Sequence, residues 1–99
     1  MIGEAHHEQK KDAPSGTAKE LARVIKEAAG DIDIPIESVR EGDIVGEHSI
    51  KFESGVDLIE ITHSAKTRDI FAKGALQAAK FVVGKKHGLY TMQDVLGIA

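Results

Sequence analysis

The 99-residue chain has no cysteine and no tryptophan, one tyrosine, three phenylalanines and two prolines. Without cysteine there are no disulfide staples, no thiolate nucleophile and no cysteine-based zinc site, and the chain suits a reducing compartment, so a cytoplasmic protein is expected. With so few aromatics, few large side chains anchor the core. A domain of this length buries only about 60–65 % of the surface its unfolded chain exposes, so a thin core supported by a partner surface is expected. No long apolar run and no charged segment followed by an apolar h-region is present, which argues against a membrane span or a secretory signal. Strong basicity is absent too: 13 Lys plus Arg against 16 Asp plus Glu give a net charge of −3, and the cations are scattered. Nothing in that pattern calls for nucleic acid.

What is present reads as an α+β domain. Ala18, Leu21, Ala22, Ile25, Ala28 and Ala29 recur at spacings of three and four, which predicts a helix from Pro14 to Gly30. Asp12 or Ser15 can cap its first turn, Glu20 and Glu27 can pair with nearby lysines, and Gly30 can end it. The run Ile34–Val39, interrupted by Pro35, suggests an edge strand or an extended connection. Ile44–Phe52 and Val56–His63 alternate as half-buried strands, and Glu53-Ser54-Gly55 between them predicts an antiparallel hairpin. After Thr67 a second helix, apolar on more than one face, runs to Gly84, and the tail contains one short helical turn near Met92, Val95 and Leu96. Met1–Ala5 resembles the end of a strand, as though the chain were cut from something longer. The expected architecture is a mostly antiparallel mixed sheet with helices on one face, forming one domain over residues 1–99.

The chemistry concentrates in EAHHEQKKDAPSGTA, residues 4–18. A histidine can hand over a proton at neutral pH, and Lys10, four residues after His6, brings a fixed positive charge and a second donor. Ser15-Gly16-Thr17 opens the helix, so free amides and the positive end of the helix dipole face the preceding loop, and Gly16 permits close approach. A carboxylate or phosphate held there, with the Ser15 and Thr17 hydroxyls as extra donors, sets the rest of a small molecule beside His6 and Lys10. Taken singly, each feature is more often bland: a loop His-His pair, a solvated Lys10-Lys11, an ordinary cap. A zinc site from His6, His7 and His48 or His63 lacks the i, i+4 spacing of helical metal sites, so no metal is expected.

The whole string closely resembles the signature of dihydrodipicolinate reductases: Glu-x-His-His, Lys three residues on, then Asp-Ala-Pro-Ser-Gly-Thr-Ala. REGDIVGEHSIKF at 40–52, LIEITHSAKTRDIFAKGALQAA at 58–79 and GLYTMQDVL at 88–96 resemble the same family in the same order. The resemblance implies the C-terminal, substrate-binding and oligomer-forming domain of an enzyme that reduces a cyclic imine dicarboxylate with NADH or NADPH on the diaminopimelate route to lysine. It implies that His6 is the proton donor, Lys10 a second acid or charge stabiliser, His7 a substrate contact, and Gly16 with Thr17 the seat of a substrate carboxylate. It also implies a homotetramer built by sheet packing, for which the apolar face of the hairpin is a source of contact. Arg68 is a weaker candidate for cofactor contact or domain closure, and the helix and tail over 68–99 are expected to pack on a nucleotide-binding domain of the same enzyme. No glycine-rich turn of the dinucleotide-binding kind follows a strand in these residues, so that domain is expected to lie outside them and the isolated chain to be inactive or nearly so. The connection between Gly30 and Glu41 is shorter than in many members of the family. The competing expectation is a free-standing oligomeric module that holds the dicarboxylate without turning it over.

Overall fold

β1 (Ile2–His6), the strand that the sequence suggested only as a remnant, is a central strand of the sheet. The computed structural model describes residues 1–98 and divides them into two compact units, Met1–Lys66 and the remainder from Thr67. In the first unit β1 is followed by α1 (Gly16–Ala29), β2 (Ile36–Arg40), β3 (Gly46–Glu53) and β4 (Leu58–Ala65). The strands lie in the order β2-β1-β3-β4. β1 pairs parallel with β2 and antiparallel with β3, and β3 pairs antiparallel with β4, so the sheet is mixed and mostly antiparallel, within an α+β fold.

Register decides which side chains share a face, because residues directly opposite across two strands point the same way. Ile2 lies opposite Ile36 and Ile50, Glu4 opposite Ser38 and His48, and His6 opposite Arg40. His48, Ile50 and Phe52 in turn face His63, Ile61 and Ile59. This face carries α1, whose Ala18 is fully buried together with Ile2. The core is thin, as the composition suggested: Ile2, Ala18 and Ala65 are the buried apolar side chains among the described residues, while Phe52, Ile59 and Ile61 on the β3–β4 side stay about half exposed.

Several boundaries differ from the sequence-based expectation. α1 starts at Gly16, not at Pro14; Ser15 is its N-cap, with an extended backbone and a hydroxyl that accepts from the Ala18 amide at 3.2 Å. Gly30 follows the helix at φ 92°, a region that favours glycine, and its amide closes on the Lys26 carbonyl. Glu20 and Glu27 pair with Arg23 instead of lysines, at 2.5 and 2.8 Å, because Arg23 stands three and four residues from them on the same face. The hairpin loop is residues 54–57: Glu53 still pairs with Leu58, and the Ser54 hydroxyl donates to Asp57 and accepts the amides of Val56 and Asp57. Ile44 and Val45 fall outside β3, and the edge strand β2 starts at Ile36, the residue after Pro35, whose carbonyl accepts the Ile2 amide at 2.9 Å.

In the second unit, α2 (Asp69–Val82) and α3 (Met92–Leu96) are joined by a connection whose Tyr90 meets Phe81 of α2 edge to face at 5.8 Å and whose Lys85 ammonium lies 4.5 Å from the Phe81 ring centre. α3 is the short helical turn expected in the tail. It is held by a capping box between Thr91 and Asp94 and by a left-handed Gly97.

The Ser15 cap gives a first expected outcome. Ser15→Ala lowers the chemical-denaturation stability of the chain by roughly 1–2 kcal/mol, because it removes the cap and an acceptor or donor for His48 in one step. A loss under about 0.3 kcal/mol would show that α1 does not need this cap.

Candidate active site

Alternation along β1 sets Glu4 and His6 on one face, and the strand then ends, so His6 stands where the sheet gives way to the loop before α1. Glu4 is 3 % exposed, and its carboxylate is fully used. Oε1 accepts from Arg40 Nη1 at 2.5 Å and from His6 Nδ1 at 2.8 Å. Oε2 accepts from Arg40 Nη2 at 2.9 Å and from the Ser15 amide at 2.7 Å. Burial pushes the Glu4 carboxyl up, but the hydrogen bonds from Arg40, His6, the Ser15 amide and Ser38 outweigh it and hold the pKa down at about 2. Glu4 is therefore an anion at neutral pH. Arg40 grips it with both guanidinium nitrogens and also donates to the carbonyls of Asp12 and Val39.

Ser15 ties the histidines to the helix. Its hydroxyl lies 2.9 Å from His48 Nε2, and the His48 ring meets His6 edge to face at 5.1 Å. Burial lowers the His48 pKa, and the neighbouring His6, His63 and Lys10 lower it further against the opposing pull of Glu4, which favours the neutral ring. Lys10 is partly buried, with Nζ 3.0 Å from an Asp12 carboxylate oxygen, and this contact holds the Asp12 carboxyl below its usual range. Backbone bonds fix the loop around it: the Lys10 amide to the His7 carbonyl, Glu8 to Gly42, and Glu41 to the His6 carbonyl.

Of the residues singled out by sequence, His6 and Ser15 are joined through Glu4 and His48, and Lys10 acts on the same field. Gly16 and Thr17 are exposed at the start of α1, where the first amides have no acceptor within the helix. A Cβ built on Gly16 meets nothing within 4 Å, so neither packing nor backbone geometry in this chain requires glycine there. The Ser15 side chain is buried and its hydroxyl already serves Ala18 and His48, which leaves its role as a direct substrate donor without support from the geometry. His7 is partly buried in the loop, and Arg68 is the N-cap residue of α2 in the second unit. Sequence reasoning gave no role to Glu4 or Arg40 and considered His48 only as a metal ligand. The i, i+2 spacing of Glu4 and His6 was a usable signal; nothing in the sequence pairs Glu4 with Arg40, which depends on the β1–β2 register.

The opposite face of the sheet carries a shallow groove of about 240 Å³ floored by Gly3, Ala5 and Ser49. Its rim carries Glu37, Glu47 and Glu60, which repel an anionic ligand. The buried Glu4 network and the open helix terminus, on the α1 face, are the better candidate.

Residues 1–96 match the family described as "Dihydrodipicolinate reductase, C-terminus". The chain belongs to the dihydrodipicolinate reductase family. Relatives named 4-hydroxy-tetrahydrodipicolinate reductase include one from Methanoregula boonei, 46 % identical over 109 aligned positions, covering 96 % of this chain and 43 % of the relative. One from Geotalea daltonii is 47 % identical over 116 positions, covering 98 % of this chain and 43 % of the relative. Among solved structures, the chain is similar to a dipicolinate-bound dihydrodipicolinate reductase from Paenisporosarcina sp. TG-14, with a TM-score of 0.74 and 28 % identity over 94 % of this chain and 43 % of that one. The chain thus spans less than half the length of these reductases. No helix of the described residues is long and apolar enough to cross a membrane.

Proposed function

We propose that this chain is the substrate-binding and proton-donating half of a 4-hydroxy-tetrahydrodipicolinate reductase, which reduces a cyclic imine dicarboxylate on the diaminopimelate route to lysine. The observation that carries this reading is the double use of Glu4. One buried carboxylate holds the His6 ring and the Ser15 amide, and so sets the proton donor and the mouth of α1 at a fixed separation.

A substrate carboxylate docks on the free amides of Gly16 and Thr17, assisted by the Thr17 hydroxyl and the helix dipole, in the space that Gly16 leaves open. Ser15 contributes the turn and the cap. Lys10 offsets the charge of the dianion, with Asp12 holding its ammonium in place, and His7 lines the same loop. His6, or Lys10 as second acid, protonates the centre that becomes electron-rich on reduction. When bound, NADH or NADPH supplies the hydride. The residues described here do not form a dinucleotide cradle: the turn from β1 into α1 is long and carries the lone Gly16 in place of a glycine-rich strand-to-helix turn. Cofactor binding is accordingly assigned to a nucleotide-binding domain of the same enzyme, with Arg68 and the segment 68–99 on the side toward it. The reading includes a homotetramer formed through the sheets, with Phe52, Ile59 and Ile61 as uncovered apolar surface, and a cytoplasmic location.

Calorimetric titration with pyridine-2,6-dicarboxylate tests this. The wild-type chain binds the planar dianion; Lys10→Ala and Gly16→Ala each weaken binding by about tenfold or more, as expected for loss of a charged contact or of close approach. Gly16→Ala leaves thermal stability unchanged or slightly raised, since the added methyl meets no protein atom and alanine favours the helix. Wild-type affinity in both variants would overturn the assignment of the anion seat.

A further inference from the structure

We propose that Glu4, clamped by Arg40, is a positioning residue that fixes the tautomer of His6, so that Nε2 is the atom that carries the transferred proton. This rests on the reading of His6 as proton donor and goes beyond it by naming the atom and the residues that select it.

The geometry leaves one assignment. Beside the Ser38 hydroxyl, Glu4 receives four contacts from nitrogen: two from the Arg40 guanidinium, one from the Ser15 amide and one from His6 Nδ1. Guanidinium and amide nitrogens are obligatory donors, and a carboxylate engaged by three of them has no hydrogen of its own to offer. The fourth partner, His6 Nδ1, is therefore also a donor and carries a hydrogen. In neutral His6 the lone pair is then on Nε2, and in the imidazolium the second hydrogen is there. Losing the Nδ1 hydrogen would strand a buried carboxylate without one of its partners, so Nε2–H is the bond that breaks. Its electron pair stays on the ring, the proton passes to the electron-rich carbon or nitrogen of the reduced substrate, and His6 is left as the Nδ1–H tautomer.

The surroundings reinforce the choice. Glu4 cannot swing to another acceptor or donor, because Arg40 holds both of its oxygens and the side chain is fully enclosed. His48 meets the His6 ring by its edge, and its own Nε2 is turned to the Ser15 hydroxyl. Arg40 reaches Glu4 from the neighbouring parallel strand, opposite His6 in register, so the clamp is built from the β1–β2 pairing and not from the loop before α1. A carboxylate that holds a histidine by one nitrogen and frees the other for chemistry is a recurrent device in histidine acid–base catalysis.

Long-range nitrogen–proton NMR spectra of histidine-labelled chain decide the tautomer directly. In the wild type, neutral His6 shows a protonated Nδ1 and a bare Nε2; a neutral His6 protonated on Nε2 would overturn the proposal with no variant needed. Glu4→Gln, which keeps the shape but can donate from its amide, shifts His6 toward the Nε2–H form. In a reductase where this chain is joined to a nucleotide-binding half, Glu4→Gln lowers kcat by about ten- to a hundredfold while KM for the imine stays within about twofold. A purely structural Glu4 would change stability and KM and leave the tautomer alone, which would also overturn the proposal. Absence of dicarboxylate binding by the wild-type chain would instead strike at the proposed function, since the tautomer is read without ligand.

Discussion

Glu4→Ala lowers the unfolding free energy of the chain by about 3–5 kcal/mol, because it removes one partner of a buried ion pair and leaves Arg40 with an enclosed charge. Against the roughly 5–15 kcal/mol that holds an ordinary domain together, this is a large share of the margin. The Arg40 side chain is 17 % exposed, and its Nε already lacks a partner among the described residues, so it has little water to fall back on. A second replacement, Arg40→Met on the Glu4→Ala background, restores part of the loss by removing the stranded charge. Urea denaturation of the wild type, the two single variants and the double variant measures both effects. Near-additivity would show that the pair is not coupled.

The same carboxylate sets the acid limit of the fold. Its ordinary pKa is 4.5 and its value in the folded chain about 2, so the folded state binds its proton less readily than the unfolded state does. The contribution of Glu4 is therefore complete above pH 4.5 and disappears as pH falls from there to about 2, a change of about 3 kcal/mol. Glu4→Gln flattens the dependence of stability on pH in that window. A wild-type curve with no slope between pH 4.5 and 2 would contradict the network described here.

The second large effect is on turnover. In a reductase assembled with its nucleotide-binding half, His6→Asn and Lys10→Ala each lower kcat by about 10²–10⁴-fold, the reach of one general acid. They differ in KM: His6→Asn leaves it nearly unchanged, whereas Lys10→Ala raises it, as the proposed role of Lys10 in offsetting the dianion's charge requires. Steady-state kinetics separate the two. A loss below tenfold in both variants would remove them from the chemistry.

How much of this was legible in the sequence follows from the range of the interactions involved. α1 announced itself through the spacing of Ala18, Leu21, Ala22 and Ile25, and its cap through Ser15, because both signals are local. The β3–β4 hairpin was visible in alternation, though its loop proved one residue longer than Glu53-Ser54-Gly55 suggested, since Ser54 and Asp57 bond to each other across it. β1 was underrated because five residues before a histidine pair carry no periodic signal; what makes it central is pairing with strands more than 30 residues away. The same reason hid the Glu4–Arg40 clamp. Family resemblance pointed to His6, Lys10, Gly16 and Thr17, but only the register shows why the ring of His6 is held so firmly, and only the Ser15–His48 bond shows that the Ser15 hydroxyl is already engaged.

The most direct test is a titration of nitrogen-15-labelled chain with pyridine-2,6-dicarboxylate, followed by amide and histidine chemical shifts. The expected result is saturable change concentrated at the amides of Gly16 and Thr17, at the loop around Lys10 and at His6 Nε2, with Gly3, Ser49 and Thr62 on the acidic groove unmoved. Shifts centred on that groove, or none at the start of α1 while the ligand demonstrably binds, would contradict the placement of the dicarboxylate beside His6.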